Sequence, residues 1–431
     1  MPPSKPALDD CFLTDEERLT HAEAIAALKA GVGPVAGVVS VDLAESGDRI
    51  LAETIAAPRD VPAFDNAAVD GYAFRHADLP ANGGRMPLTM RIAAGDPAHA
   101  PLPEGAAARI FTGAMMPADA DTVVMQEDCT ADPDDAWVEI PPGLKAGANR
   151  RRAGEDMRAG DTLLSPGAAL RPQEVAAIAS TGQATVKVYK PVRVALFSTG
   201  DEIVRPGVPL EPGQVYDANH FLLRQLAASC GAVVTDLGVL PDDAVAVREA
   251  LEAATAAHDV ILTTGGASRG DEDHVVKTLD AIGRLHLWQL AIKPGRPMSF
   301  GEIGDCRFLG LPGNPVAAFV CFLLYARPVL RTMGGAPWPE PVRDLIPAGF
   351  EIAKKKPGRR EFLRGALDRD ADGNPAVRRF ERDGSGLITS LREADGLIEI
   401  AEDTTSVAHG EPVSFLPFTG FGLQPRSAGR D

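Results

Sequence analysis

The segment Thr264 to His274, TGGASRGDEDH, brings three glycines, a serine, an arginine and three consecutive acids into one short stretch. A glycine-rich turn lets backbone N–H groups close around an anion. Three carboxylates would repel that anion unless a cation stood between them, so the chemistry indicated is a phosphate held beside a metal. Four other stretches have a similar make-up: Ser198-Thr-Gly-Asp-Glu202, Leu240-Pro-Asp-Asp243, Lys293-Pro-Gly-Arg-Pro297 and Leu311-Pro-Gly-Asn-Pro315. In these segments Ser198, Thr199, Ser268 and Asn314 offer neutral hydrogen bonds, and Lys293 and Arg296 offer positive charge to phosphate-type oxygens. Asp201, Glu202, Asp242, Asp243 and Asp273 add hard oxygen donors, and Mg²⁺ commonly uses one or two carboxylates together with substrate phosphates and water. With 60 acids in the chain, solvated acidic turns are the alternative reading of the same residues.

These stretches recur where an α/β fold would place them. VRVALF (192–197), AVVTDLGVL (232–240) and DVILTTGG (259–266) are apolar runs of strand type, separated by segments of helical period such as Val247, Leu251 and Ala254. Alternation of this kind implies βαβ crossovers and a parallel sheet, so residues 191–332 are expected to form a doubly wound domain. In such sheets ligands bind outside the carboxyl ends of the strands, where the five stretches fall, so all five are expected to border one crevice. LHLWQLAI (285–292) and CRFLGL (306–311) are expected to extend the sheet, with an apolar helix from Val316 to Leu330 packed on it.

On either side the chain is mostly of β type. A first helix is expected between Leu13 and Ala30, with Thr14 and Glu17 as a capping box. RIFTGAMMP, DTVVMQED and ATVKVYKPV read as short strands within residues 35–190. GGAPWPEP (334–341) reads as a linker, and AVRRFER, GLITSLRE and EPVSFLPF within 342–420 read as strands of a small β-barrel.

Composition narrows the function classes. A chain of 431 residues with 45% hydrophobic and 24% charged residues is an ordinary multidomain globular protein. A formal charge of −17 argues against nonspecific binding to nucleic acid or acidic lipid. The longest apolar run, Val316 to Ala326, is about half of the ~20 residues that span a bilayer. The start lacks an apolar leader, and a cytoplasmic protein is expected. The five cysteines include no C-x-x-C pair, and the eight histidines no H-E-x-x-H, so neither zinc nor a disulfide framework is indicated. There is no G-x-x-x-x-G-K-[ST], and no G-x-G-x-x-G follows a strand, which disfavours the common nucleotide folds. Two further stretches, PAFDNAAVDGYA (62–73) and NRRRAGEDM (149–157), read either as solvated turns or as an arginine cluster facing an oxyanion.

Taken in order, the blocks PAFDNAAVDGYA, RIFTGAMMP, NRRRAGEDM, ALFSTGDEI, VYDAN, LTTGGASRGDED, AIKPGRP, LPGNP and GRREFLR resemble the MoeA family of molybdopterin molybdenumtransferases, which includes the E domain of gephyrin. The resemblance runs from about residue 12 to residue 417. It implies a multidomain α/β plus β protein. An N-terminal extended region would comprise 12–60 and 148–190, a β-rich domain 61–147, a molybdopterin-binding α/β domain 191–332, and a C-terminal β-barrel 342–420. It also implies a homodimer with a cleft shared between subunits, in which adenylylated molybdopterin and molybdate give molybdenum cofactor and AMP with Mg²⁺. Other proteins of molybdenum cofactor biosynthesis are compatible partners, whereas nucleic acid and membrane are not expected.

The same resemblance assigns roles by position. Asp70, Glu202, Asp242 and Asp273 would be catalytic, and the last three would hold the metal. Thr112, Arg151, Asp156, Ser198, Thr199, Gly265, Gly266, Ser268, Lys293, Arg296, Pro312, Asn314, Arg359, Arg364 and Ser385 would bind substrate, with Asp70 reaching the cleft from the partner subunit. Ala67, Val69, Ala218 and Gln289 depart from the family pattern, and Gln289 removes a charge. Molybdopterin adenylyltransferase and a noncatalytic cofactor carrier are the competing functions, and molybdate is not separable from tungstate at this level.

Overall fold

The computed structural model describes residues 18–97, 100–265, 274–369, 372–382 and 384–426. The expectations placed on Thr14, Glu17, Gly266, Ser268 and Asp273 lie outside these residues.

Among the described residues the first helix is His21–Gly31. Thr20 is its N-cap: the hydroxyl accepts the Glu23 N–H at 3.2 Å and the Glu23 carboxylate accepts the Thr20 N–H at 2.8 Å. That reciprocal pair satisfies two of the orphaned donors of the first turn. Just upstream, Leu19 is extended and pairs with Leu290, which stops the helix from starting earlier.

The N-terminal half is built from strands. Val38–Asp42 pairs antiparallel with Thr185–Tyr189, Ile55–Ala56 with Thr162–Leu164, and Asn66–Ala67 with Arg150–Arg151. Within this frame lies a six-stranded sheet that includes Gly71–Phe74, Gly84–Ile92, Ala107–Ile110, Thr122–Met125 and Trp137–Ile140. Gly71 of the D-G-Y-A motif has a steric reason: a Cβ there would sit 1.8 Å from the Val124 carbonyl oxygen on the neighbouring strand.

The central sheet has Val233–Leu240, Arg193–Thr199, Val260–Thr264 and Cys306–Leu311 side by side and parallel. Two further strands, Pro297–Ile303 and Arg284–Gln289, continue it antiparallel. The expected parallel sheet is therefore formed by four strands, including Cys306–Leu311, and the extension through 285–292 runs antiparallel. The connections at this edge are too short for a crossover helix, which a parallel pairing requires.

Pro315–Met333 forms the central buried helix, with a π-helical turn at Phe322–Ala326 and Pro315 at its first position, where the missing N–H costs nothing. It is long and apolar enough to cross a membrane, yet 83% of its most apolar window is buried inside the fold. Phe319, Phe322, Tyr325 and Leu330 share one core with Ala24 and Leu28 of the first helix and with Phe362, Leu397 and Leu416 of the C-terminal sheet.

In the C-terminal part, Arg360–Arg369, Gly396–Ile400, Pro412–Pro417 and Asp344–Pro347 are neighbours in that order, and Pro375–Arg379 pairs with the outer side of Arg360–Arg369. A bridge between Ala348 and Val377 joins the two ends and closes the sheet into a barrel. GLITSLRE is not a strand: Thr389–Glu393 is a short helix, and the strand is Gly396–Ile400. Gly384 and Gly386 interrupt an extended run, and Leu387, Leu391 and Ala394 follow helical spacing.

One consequence of the shared core can be measured. His21 is buried with its Nδ1 2.9 Å from the Tyr325 hydroxyl and its ring edge-on to Tyr325 and Phe362. Burial, then the nearby Arg360 cation, lowers its pKa from 6.5 to about 4. The folded state keeps His21 neutral while the unfolded chain takes a proton below about pH 6.5, so stability present at pH 7 is lost as pH falls from 6.5 toward 4. The expected result in urea titrations is a loss of about 1–2 kcal/mol between pH 7 and pH 5, reduced in His21→Gln. The depressed carboxylates Glu399 and Glu402 also stabilise the fold at neutral pH and lose that contribution only as pH falls below the ordinary glutamate range.

Candidate active site

The register of the parallel strands puts the chemistry at one edge. Ser198 lies opposite Thr264, Thr199 opposite Leu240, and Thr264 opposite Leu311. The segments that follow these residues therefore leave the sheet together. Two close approaches hold them. Gly265, at φ +84°, lies against Thr199, where a Cβ would stand 3.1 Å from the Thr199 carbonyl oxygen. Gly200, at φ +130°, leaves room for the Glu202 carboxylate, which a Cβ would meet at 2.5 Å.

A cavity of about 530 Å³ opens at this edge, lined among others by Ser198, Thr199, Glu202, Asn219, Gly265 and Asn314. Its deep polar groups are mainly neutral, with the buried Asp217 carboxylate among them. Asn219 lies in the helix Ala218–Ser229, capped by Asp217, and donates to the Thr264 hydroxyl at 2.8 Å and the Gly313 carbonyl at 2.6 Å. Its Oδ1 and the Ser198 Oγ are buried with no hydrogen-bond partner among the described residues. Orphaned buried polar atoms are costly, so such a pair marks a place for a ligand that supplies N–H or O–H groups.

Next to it lies a second cavity of about 340 Å³, bordered by Lys293, Arg296, Pro312, Asn314, Arg364 and Ser385. The two share Gly313 and Asn314. The second is cationic and spans the α/β domain and the barrel, because Ile292–Lys293 pairs with Arg360–Arg369. Its charges are not equivalent. Glu361 is buried; its carboxylate accepts from Arg359 Nε at 2.9 Å and stands 3.9 Å from Lys293 Nζ. Arg364 is also buried and donates to Ser390 Oγ at 3.0 Å and to the Arg382 carbonyl at 2.6 Å. It thereby holds the loop that carries Ser385, whose carbonyl accepts the Val316 N–H at 3.0 Å. Within the basic run KKKPGRREF (354–362), buried Lys355 is likewise committed to the fold and donates to the Arg359 and Ala401 carbonyls at 2.8 Å.

Not every expected residue converges here. Asp242 borders neither cavity; its N–H contacts the Asp201 carboxylate at 3.4 Å, which ties its loop to that of Glu202. Among the described residues no three metal-ligating side chains converge. Asp70, Thr112, Arg151 and Asp156 belong to the N-terminal half, and among the described residues no hydrogen bond or ion pair joins their side chains to the cavities. Asp70 Oδ1 accepts both the N–H and the hydroxyl of Thr112, at 2.8 and 2.7 Å, and these bonds hold its pKa below the ordinary value. Arg151 and Asp156 are exposed. Sequence reasoning did not single out Asn219 or Glu361 as site residues, although both lie inside quoted blocks, VYDAN and GRREFLR; burial is the signal that distinguishes them.

Residues 19–182 match the model for the MoeA N-terminal region (domain I and II), 195–332 a probable molybdopterin binding domain, and 349–418 the MoeA C-terminal region (domain IV). A molybdopterin molybdenumtransferase of Haemophilus influenzae is 38% identical over 385 residues, covering 88% of this chain and 93% of the relative.

The chain belongs to the MoeA family.

A second MoeA-family relative, the molybdopterin molybdenumtransferase of Bacillus subtilis, is 31% identical over 387 residues and covers 87% of this chain and 89% of its own length. The crystal structure of a molybdopterin biosynthesis MoeA protein from Pyrococcus horikoshii superposes with a TM-score of 0.80 at 29% identity, covering 93% of this chain and all of that one. The MoeA fold thus extends over nearly the whole molecule, and the two cavities sit where the molybdopterin-binding region meets the MoeA C-terminal region.

Proposed function

We propose that this protein is a molybdenumtransferase of molybdenum cofactor biosynthesis, which inserts molybdate into adenylylated molybdopterin and releases AMP. The observation that carries this reading is the junction at Gly313 and Asn314 of a cavity rich in hydrogen-bond acceptors and a cationic one. A pterin presents amide and amine N–H groups that suit Ser198 Oγ and Asn219 Oδ1. Phosphate and molybdate are compact anions that suit Lys293 and Arg296. A ligand carrying both chemistries would span the shared wall.

In this reading Lys293 and Arg296 neutralise the oxyanions, Thr199, Gly265 and Pro312 shape the walls, and Arg364 keeps Ser385 at the rim. Glu202 supplies a carboxylate to the pterin-side cavity, with Asp242 brought near through Asp201. Two such carboxylates fit Mg²⁺, which would complete its shell with phosphate and water. When bound, Mg²⁺ supplies charge stabilisation for cleavage of the phosphoanhydride. Asp273 is retained as a third proposed ligand. The division into 12–60 with 148–190, 61–147, 191–332 and 342–420, the homodimer with a shared cleft, and a cytoplasmic setting belong to the same proposal.

The deciding assay supplies adenylylated molybdopterin, Mg²⁺ and molybdate and follows AMP. Molybdate-dependent AMP release is the expected outcome. Pyrophosphate release from ATP with unadenylylated molybdopterin would instead identify an adenylyltransferase, and tight retention of finished cofactor without turnover would identify a carrier.

A further inference from the structure

The cations around the second cavity differ in what holds them. Lys293 and Arg359 share the buried carboxylate of Glu361. Arg364 is spent on loop carbonyls and Ser390. Arg296, by contrast, is exposed and is held by a neutral amide: its Nε donates to Gln289 Oε1 at 2.7 Å. The two residues close the base of the connection that carries Lys293. Gln289 is opposite Pro297 in the antiparallel pair, and the Leu290 N–H donates to the Arg296 carbonyl at 2.8 Å.

A guanidinium can grip an oxyanion through its two Nη atoms or through Nε and one Nη. Engaging Nε on a fixed strand residue selects the Nη edge and limits rotation about the end of a side chain that would otherwise be mobile at this exposed position. An amide does this without cancelling charge. A carboxylate at 289 would hold the same atom but neutralise it, and a lysine would repel it.

We propose that Gln289 is a positioning residue, which orients the Arg296 guanidinium toward the oxyanion while leaving its full charge available to the cavity. This inference rests on the reading of the cavity as the molybdate site.

The test is a double-mutant cycle in the full-length protein, read by calorimetric binding of sodium molybdate and by the KM for molybdate in AMP release. Gln289→Leu is expected to raise both constants about five- to tenfold, the scale of one charge-assisted hydrogen bond, with the change carried by KM rather than kcat. Gln289→Glu, which keeps the acceptor and so the local fold, is expected to weaken molybdate binding as well. Arg296→Ala is expected to weaken binding, and Gln289→Leu added to it is expected to cost nothing further. Independent, multiplying effects, or an unchanged Gln289→Leu variant, would overturn the proposal while leaving the molybdate reading intact. A wild-type protein that neither binds molybdate nor releases AMP in its presence would overturn both.

Discussion

Asp70→Asn is expected to lower molybdate-dependent AMP release by about two to three orders of magnitude, the scale typical of removing one preorganised charged group from an active site, with little change in folding. The geometry makes this a clean substitution. Oδ1 accepts two bonds from Thr112, and an asparagine carbonyl oxygen can accept the same two. What disappears is the negative charge, which those bonds maintain by keeping the pKa low. Steady-state assays and a circular dichroism melt separate the two effects; near-normal turnover would remove Asp70 from the mechanism. Because no described bond ties Asp70 to the cavities of its own chain, the shared-cleft proposal makes a second demand. Mixing Asp70→Asn with Lys293→Ala subunits should restore activity to roughly a quarter of wild type, since half of the dimers are hybrids with one intact cleft. No recovery after verified subunit exchange would point to a self-contained subunit.

Arg364→Met should cause a loss of comparable size by a different route. The guanidinium is buried and holds Ser390 and the Arg382 carbonyl, so its removal leaves buried acceptors unpaired at a cost of about 2–4 kcal/mol. The loop bearing Ser385 would lose its anchor to the barrel, and the cationic cavity one wall. We expect AMP release to fall at least about a hundredfold, in line with the effect of misplacing a positioning wall, and hydrogen exchange to rise between residues 382 and 390. Arg364→Lys should recover little, because an ammonium cannot reproduce the planar fork that reaches both partners. Full activity with rapid exchange in this loop would show that the wall is dispensable.

These two residues also illustrate how far the chain could be read before its fold was known. The alternation of apolar strands with helical segments, the glycine and proline turns, and the ordered motif blocks were legible because each depends on local spacing. So were Ser198, Thr199, Gly265, Lys293, Arg296, Pro312 and Asn314, which follow directly from strand ends. Thr14 and Thr20 offer the same capping pattern, and only the pairing of Leu19 with Leu290 shows that the helix capped by Thr20 starts at His21. GLITSLRE was misassigned because its hydrophobic spacing suits either element, and contacts to distant Arg364 favour the turn and helix.

By itself the sequence determined which chemistries the molecule carries, because side-chain type and the spacing of turns after strands are properties of short segments. The tertiary structure decided how those groups are used. It brings Glu361 between Arg359 and Lys293, spends Arg364 on a loop, clasps Arg296 to Gln289, and joins two cavities at Asn314. Each of these depends on ångström-scale meetings of residues from separate strands and domains, and electrostatic and hydrogen-bond energies change over those distances in ways no local pattern records.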